Sequence, residues 1–167
     1  MKYLAYGSNM HPIRLKRRTP SAKFYKVISL KGYKLKFHKI GRDGSGKCNI
    51  SFTNNINDIV YGIVYEIEDH DIKYLDEAEG LGHGYIKKFL YLDDIKEEIF
   101  FYIAQNEFID DSLRPYSWYK AFVLEGAKYF GLPNDYIKAI EAIEAIEDFD
   151  TNRLKEAKDI LKTLKKG

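Results

Sequence analysis

The chain has 167 residues, of which 45% are hydrophobic and 15% aromatic, and its 27 basic and 25 acidic side chains give a formal net charge of +2. This length supplies one good core and is short for two, so the sequence predicts a single domain over residues 1–167. The two signs of charge are interspersed, so neither nucleic acid nor a membrane is expected as a partner. A small molecule is the expected partner.

The N-terminus and the cysteine content both bear on location. The sequence turns polar at Gly7, too early for the apolar stretch of a signal peptide, and it contains no run of about 18 apolar residues. Cys48 is the only cysteine and has no partner for an internal disulfide, which fits a reducing compartment. We therefore expect a cytoplasmic protein in which Cys48 is a packed thiol.

The first half of the chain is predicted to be mostly sheet. Residues 2–6 form a short strand that enters a turn at residues 7–9, and Pro12 suits the first turn of a helix over residues 13–18. Alternating apolar and polar residues then predict further strands. These strands occupy residues 24–37, as two strands or one bent at Gly32, then residues 49–53 and residues 59–67.

The second half carries most of the predicted helices. A short helix is expected over residues 69–78, with Asp69 as its N-cap and Gly80 near its end. Strands at residues 85–92 and 98–104 flank a turn at residues 93 and 94. Three helices follow, at residues 117–130, at residues 134–146 with a buried isoleucine stripe, and at residues 151–166. Strands first and helices last favour an α+β fold, with a small antiparallel or mixed barrel-like sheet and helices around it.

A glycine-rich segment at residues 41–48 has the spacing of a phosphate-binding P-loop except at its last position. A P-loop ends in a hydroxyl that holds magnesium and continues into a helix. Cys48 has no hydroxyl, and the residues after it read as a strand. A flexible loop between strands is therefore the favoured interpretation over a nucleotide site.

Metal and serine-nucleophile sites have little support. The four histidines, at positions 11, 38, 70 and 83, are scattered and show no metal-ligand spacing, so we expect surface or turn positions for them. Ser8 lacks the second glycine of a nucleophile elbow, although it remains a possible hydrogen-bond donor. No metal and no cofactor is predicted.

Two segments remain as candidates for chemistry. The turn made by Tyr6, Gly7, Ser8 and Asn9 lies between a strand and a predicted helix, so its backbone amides are placed to receive a carboxylate. Residues 75–80 hold three carboxylates within four residues at the end of a helix, a position that favours proton uptake by one of them, with Glu79 the last. An ordinary turn and a solvated acidic cluster are the competing interpretations.

Several ordered segments together resemble the gamma-glutamylcyclotransferase (AIG2-like) family. They are Tyr-Gly-Ser-Asn-Met at residues 6–10, Tyr-Gly-Ile-Val-Tyr at 61–65, Leu-Asp-Glu-Ala-Glu-Gly at 75–80, Tyr85, and a later match at 126–133. The resemblance runs from about residue 3 to residue 140. It implies the small barrel of that family, with the substrate at its mouth.

The resemblance also implies site residues and a reaction. Glu79 takes the position of the family's catalytic acid/base, and the loop at residues 6–9 takes that of its gamma-glutamyl cradle. Tyr85 and Tyr119 are candidates to bind substrate, with packing roles equally open. The implied activity is of the acyltransferase or amine lyase type. In it, the α-amine of a gamma-glutamyl amide attacks its own γ-carbonyl, giving 5-oxoproline and a free amine.

Several alternatives stay open from the sequence. The resemblance fixes neither the leaving amine nor the oligomeric state. A non-catalytic module that binds small molecules through the same cradle is the alternative to an enzyme. The glycines at 80, 82 and 84 suggest a mobile lid or an altered pocket, and His83 is interpreted as a turn residue rather than a substrate contact.

Overall fold

A computed structural model describes residues 1–93 and 95–166 of the chain. Strands fill most of its first two thirds and helices fill the remainder, with a 3-10 turn at Asn106–Phe108 between them. In chain order the elements are β1 (Lys2–Ala5), α1 (Pro12–Lys16), β2 (Lys23–Lys31), β3 (Tyr33–Ile40), β4 (Gly46–Phe52), β5 (Ile59–Glu66), α2 (Asp69–Glu79), β6 (Tyr85–Leu92), β7 (Glu97–Ala104), α3 (Ser117–Tyr129), α4 (Asn134–Glu141) and α5 (Thr151–Leu164).

The described strands form a five-stranded sheet, in the order β2-β5-β1-β7-β6, and a two-stranded ribbon of β3 and β4. Neighbours in the large sheet are antiparallel except β1 and β7, which are parallel. The ribbon packs with β3 against β5 and β4 against β7. The α+β class, the mixed sheet and the surrounding helices are thus confirmed, and the barrel-like core consists of the sheet with the ribbon packed against it.

The short strand β1 lies at the centre of the sheet and of the core. Leu4 and Ala5 are 1% and 0% exposed, as expected for a strand with neighbours on both edges and both faces covered. Leu4 pairs with Val64 of β5, and Tyr3 pairs with Phe100 of β7. The chain segment that follows β1 therefore starts from the most constrained part of the molecule.

Most predicted elements are confirmed, and the corrections have local causes. Glu68, without a side-chain hydrogen bond, is the N-cap of α2 in place of Asp69. The helix predicted over residues 134–146 ends at Glu141, because the backbone of Ile146 instead hydrogen-bonds with Pro115 and Ser117. Ile146 is 43% exposed, so the predicted buried stripe does not reach it. Of the turn predicted at residues 93 and 94, Asp94 lies outside the described residues.

The glycine-rich segment at residues 41–48 does not have P-loop structure. It forms a turn in which the Gly41 amide donates to the carbonyl of Ser45, and the chain then enters β4 at Gly46. A strand in this position presents no helix N-terminus to a phosphate. Among the described residues, no helix is long and apolar enough to cross a membrane.

Candidate active site

The loop at residues 6–9 leaves the carboxyl end of β1 and turns sharply. The Met10 amide donates to the carbonyl of Gly7 at 3.1 Å. A Cβ on Gly7 would lie 2.9 Å from Cβ of Cys48, so only glycine allows this close approach to β4. Within the described ranges, the amides of Ser8 and Asn9 donate to no protein acceptor, which leaves them available to a ligand.

The structure corrects the expected contribution of helix α1 to this loop. The helix has five residues and begins at Pro12, with His11 as its N-cap, so Met10 and His11 separate it from the loop. The side chain of His11 accepts a hydrogen bond from the amide of Ile13. Any anion bound at Ser8 and Asn9 is therefore held by the loop's own amides rather than by a helix terminus.

Glu79 lies next to this loop, although 70 residues separate it from Asn9. Its Oε1 accepts hydrogen bonds from Nδ2 of Asn9 at 2.7 Å and from the guanidinium of Arg18 at 3.0 Å. The same Arg18 nitrogen donates to Oδ1 of Asn9 at 3.0 Å, which closes a triangle of polar groups. Within residues 1–93 and 95–166, Oε2 of Glu79 accepts no hydrogen bond, so it is the oxygen available to a substrate proton.

The position of Glu79 follows from the end of helix α2. It is the last helical residue, and Gly80 ends the helix in the left-handed conformation, with φ of 68°. The segment after Gly80 is hydrogen-bonded, with the Gly82 amide donating to the carbonyl of Tyr85 and the Gly84 amide to Oε1 of Gln105. These bonds connect α2 to the start of β6 and hold both ends of the segment for which the sequence suggested a mobile lid or an altered pocket.

Buried tyrosines surround the loop and Glu79. The hydroxyl of Tyr6 donates to the carbonyl of Tyr102, and that of Tyr85 donates to the carbonyl of Cys48, both at 2.5 Å. The Tyr119 hydroxyl instead accepts from the amide of Cys48 at 3.1 Å. Tyr6 and Tyr85 thus donate to the backbone, whereas the Tyr119 hydroxyl accepts from the backbone and interacts with the side chain of Cys48.

Burial governs the ionisation of this lining. It raises the pKa of Tyr6, Tyr85 and Tyr119 well above the ordinary value, so all three stay neutral in the physiological range. Burial also raises the pKa of the Cys48 thiol to about 12. The expectation that Cys48 is a packed thiol is confirmed, since it is only 3% exposed.

Two neighbouring cavities meet at Glu79. The inner cavity has a volume of about 30 Å³ and is lined by Tyr3, Tyr6, Gly7, Ser8, Asn9, Cys48, Glu79, Tyr85, Tyr102 and Tyr119. The outer cleft has a volume of about 260 Å³ and is lined by Ser8, Arg14, Arg18, Lys39, Gly41, Arg42, Asp43, Lys47, Ala78, Glu79, Gly80, His83, Tyr85, Trp118 and Tyr119. Every site residue predicted from the sequence borders one cavity or both.

Two of the four histidines are less exposed than predicted, whereas His70 and His83 are exposed as expected. His11 and His38 are buried, at 1% and 5% exposure, and only His83 borders the outer cleft. His38 is hydrogen-bonded to Asp111 and to Asn49, at 2.8 and 2.9 Å. In the described part of the chain, no group of three or more histidine, cysteine or acidic residues is placed to hold a metal ion.

Comparison with known proteins places the chain in a family. A model of the AIG2-like family matches residues 59–140. Over 96% of its length, the chain is 32% identical to the gamma-glutamylcyclotransferase of Homo sapiens, 87% of which is covered. The chain belongs to the gamma-glutamylcyclotransferase family. The resemblance inferred from the sequence motifs is therefore confirmed.

Other members of the gamma-glutamylcyclotransferase family agree in sequence and in fold. The chain is 33% identical to the Mus musculus gamma-glutamylcyclotransferase, over 87% of this chain and 79% of that protein. A solved gamma-glutamyl cyclotransferase structure matches with a TM-score of 0.80 at 28% identity, covering 97% of this chain and 98% of the other. The likeness in fold extends over almost the whole chain.

Sequence reasoning missed several residues of this gamma-glutamylcyclotransferase-family site. Arg18 lies in a basic run, Lys16 to Arg18, in which nothing singles out the residue that turns inward. Tyr3, which accepts a hydrogen bond from Asn9, had the pattern of an ordinary strand residue. Lys39 is buried because β3 has a bulge between Lys36 and Lys39, and a bulge changes which side chains point inward.

Proposed function

We propose that this chain is a gamma-glutamylcyclotransferase, an enzyme that releases 5-oxoproline and a free amine from a gamma-glutamyl amide. One observation carries the assignment of the chemistry. The Glu79 carboxylate lies where the two cavities meet, oriented through one oxygen and free at the other, next to the unpaired amides of Ser8 and Asn9. Family membership supports the reaction type, and this geometry supports the roles of the residues.

The gamma-glutamyl group is proposed to bind with its polar head at the inner cavity. A volume of about 30 Å³ is enough for one small polar group. The amides of Ser8 and Asn9 supply donors for a carboxylate or a developing oxyanion, and the Tyr119 hydroxyl becomes a third donor when it turns from Cys48 to the substrate. Tyr6 and Tyr85 shape this wall, since their hydroxyls already donate to the backbone.

The reaction needs no nucleophile from the protein. Glu79 removes a proton from the donor's α-ammonium group, and the resulting amine attacks the γ-carbonyl carbon. A carbon–nitrogen bond forms and the carbonyl electron pair moves onto oxygen, until the intermediate collapses and the bond to the leaving nitrogen breaks. Two of the three ammonium protons end on the leaving nitrogen, carried in turn by Glu79, and the third stays on the lactam.

Folding the donor back on itself supplies much of the acceleration. Well-oriented intramolecular reactions gain about 7 to 11 kcal/mol over their bimolecular counterparts. Arg18 and Asn9 contribute by fixing the orientation of the Glu79 carboxylate. Both donate to its Oε1, and Oε2 is thereby held in one direction and remains available to the substrate. We call Arg18 a positioning residue, since it acts through Glu79.

We also propose the partner, the domain organisation and the cellular location of this enzyme. A small-molecule gamma-glutamyl donor is the partner, and neither nucleic acid nor a membrane is invoked. The strands and the helices α2, α3 and α4 contribute to one large hydrophobic cluster, which supports a single domain over residues 1–167. We place the enzyme in the cytoplasm, in keeping with its single buried thiol.

The test is 5-oxoproline and amine release from a panel of gamma-glutamyl amino acids and gamma-glutamyl amines. In Glu79→Gln, the rate should fall by about a hundredfold to ten-thousandfold, the range of general acid/base contributions. Glu77→Gln is the matched control, because Glu77 is an exposed carboxylate two residues away on the same helix. Its rate should match that of the native chain.

Two results would count against the proposal. Equal loss in the Glu77 and Glu79 variants would remove the assigned role of Glu79. Absence of turnover with every donor, by a folded native protein that still binds them in calorimetry, would favour the non-catalytic binding module.

A further inference from the structure

The outer cleft is more basic than the reaction itself requires. Its lining includes two carboxylates and five cationic side chains. The carboxylates are Asp43 and Glu79, and the cations are Arg14, Arg18, Lys39, Arg42 and Lys47. A cleft lined mainly by one sign of charge concentrates ligands of the other sign.

Both carboxylates of the cleft are already paired. Arg18 binds Glu79 at 3.0 Å, and Lys47 binds Asp43 at 2.7 Å. Burial alone would raise the pKa of Asp43, but the hydrogen bonds from Lys47 and Ser45 bring it below its usual value. Asp43 therefore stays ionised and engaged with Lys47, which leaves the other three cations of the lining without a carboxylate partner among the described residues.

Of these three cations, Lys39 gives the strongest indication of an anion-binding site. It is 6% exposed, and its ammonium lies 4.7 Å from the centre of the Tyr85 ring with no carboxylate in ion-pair range among the described residues. A Cβ on Gly84 would lie 2.6 Å from Cε of Lys39, so this glycine makes room for the side chain. Lys39 also lies directly opposite Lys47 in the ribbon, a like-charge pairing that destabilises a sheet, and of the two lysines it is Lys47 that binds Asp43.

Arg14 and Arg42 are the other two cations of the lining without a carboxylate partner among the described residues. The Nε of Arg14 is buried and has no acceptor, while its guanidinium packs 4.1 Å from the centre of the Phe122 ring. Burial, reinforced by Arg18, lowers the pKa of Arg14 to about 9. Arg42 is exposed at the rim, where its guanidinium approaches Gly80.

Such an arrangement is costly in the absence of a ligand. Burying a cation without a counter-charge destabilises a fold, and an unpaired buried polar atom adds to that cost. The cost is recovered when an anion binds, because hydrogen bonds between charged groups in a partly dry cleft are strong. Three such cations exceed what a single carboxylate would need.

We propose that the outer cleft binds the amine portion of the donor, and that the preferred amine carries two acidic groups, as in a gamma-glutamyl dicarboxylic amino acid. This inference rests on the proposed function, since it takes the scissile amide to lie at Glu79. The inner cavity then holds the glutamyl head, and the cleft, with a volume of about 260 Å³, holds the leaving amine. In this arrangement Lys39 and Arg42 bind the side-chain carboxylate of the leaving amino acid, and Arg14 binds its α-carboxylate.

The sharpest probe is a pair of donors that differ by one charge. Gamma-glutamyl-glutamate and gamma-glutamyl-glutamine have nearly the same shape, and only the first has a second carboxylate on its amine portion. Calorimetry on the Glu79→Gln variant measures binding without turnover, and kcat/KM of the native enzyme measures the reaction. The glutamate donor should bind about tenfold more tightly or better, and this advantage should shrink in high salt.

Variants locate the effect in the cleft. Lys39→Met should reduce the preference for the glutamate donor severalfold while leaving the glutamine donor much less affected, whereas a structural defect would reduce both equally. Arg42→Gln repeats the test at the rim, without altering a buried position. Lys34→Met is the control, because Lys34 is an exposed lysine on the same strand that lines neither cavity.

The outcomes separate this inference from the proposed function. Equal binding of the two donors, or a preference that survives in both cleft variants, overturns the dicarboxylate inference even when the native enzyme turns both donors over. Preferential binding of the glutamate donor that is lost in the cleft variants supports the inference, and 5-oxoproline formation then tests the reaction on its own.

Discussion

The inner cavity and the outer cleft share Ser8, Glu79, Tyr85 and Tyr119, yet their linings differ in charge and in how far their polar groups are satisfied. In the inner cavity, the hydroxyls of Tyr6 and Tyr85 are committed to backbone carbonyls. In the outer cleft, three of five cations lack a carboxylate partner among the described residues.

In the proposed function, one carboxylate, that of Glu79, serves both cavities. The inner side is a neutral, pre-formed surface whose free donors are few and fixed, which suits recognition of a constant group such as the glutamyl head. The outer side keeps unsatisfied positive charge at a cost in stability, which suits selection among variable leaving amines. The following measurements test whether the inner cavity and the outer cleft differ in charge and in hydrogen-bond satisfaction as described.

The largest expected effect concerns Cys48, in the wall of the inner cavity. Because burial raises the pKa of this thiol to about 12, about one molecule in ten thousand carries the reactive thiolate at pH 8, against about one in four for an ordinary cysteine. Alkylation by iodoacetamide should therefore be about a thousandfold slower in the folded protein than in denaturant. Mass spectrometry over time measures both rates.

Fast labelling of the folded protein would contradict the description of the inner cavity as a closed, pre-formed surface, because it would mean that water and reagent enter that cavity readily. The denatured sample controls for reagent quality and for the chemistry of the surrounding sequence. Raising the pH toward 10 should speed the native reaction in proportion to the thiolate fraction, with no plateau below the raised pKa.

The contrast between the two sides also explains what sequence could predict. The loop at residues 6–9 and Glu79 were found because their residue types match a family pattern, and β2, β3, β5, β6 and β7 because apolar alternation is a local signal. Arg18 and Lys39 were missed because their roles depend on which lysine or arginine of a basic stretch turns inward. For Lys39, a bulge in β3 decides that, and the sequence carries no mark of it.

The predicted helix over residues 134–146 failed for a related reason. Its apolar spacing continues to Ile146, but the backbone there pairs with Pro115 and Ser117 across the chain. A long-range contact thus overrides local helix propensity. The same contact precedes α3, the helix that carries Tyr119 to the site.

A smaller effect is expected where the two sides meet. Arg18→Gln removes a charged hydrogen bond to Glu79 and one to Asn9, so the carboxylate loses its fixed orientation. We expect kcat to fall by about tenfold to a hundredfold, the equivalent of 1.5 to 3 kcal/mol for a bond to a charged group, with a smaller change in KM. Steady-state kinetics with one good donor measure both.

Two further variants define the role of Arg18. Arg18→Lys should recover part of kcat, because a cation returns to the same place without the planar geometry of arginine. Arg17→Gln serves as the control, since the neighbouring Arg17 is exposed and its side chain donates only to Thr163 among the described residues. A rise in KM with unchanged kcat in Arg18→Gln would instead make Arg18 a substrate ligand of the outer cleft.

The smallest effect tests the cost of the unpaired charge itself. Burial lowers the pKa of Lys39 below its ordinary value of 10.5, and Arg42 and Lys47 add to the shift against the attraction of Glu79. The folded chain therefore holds this proton less tightly than the unfolded chain. Below the lowered pKa the folded state carries the full penalty, and the penalty disappears as the pH rises toward 10.5.

Lys39→Met should consequently be more stable than the native chain at pH 7, by roughly 1 kcal/mol, the common size of a single-residue effect. Because the penalty is confined to the charged form, the difference in stability between the two proteins should stay constant below the lowered pKa of Lys39 and shrink from there to pH 10.5. Urea unfolding at several pH values measures it, with Lys34→Met as the exposed control. A variant less stable than the native chain at pH 7 would mean that Lys39 is already satisfied within the fold, and the outer cleft would then resemble the inner cavity more than its charges suggest.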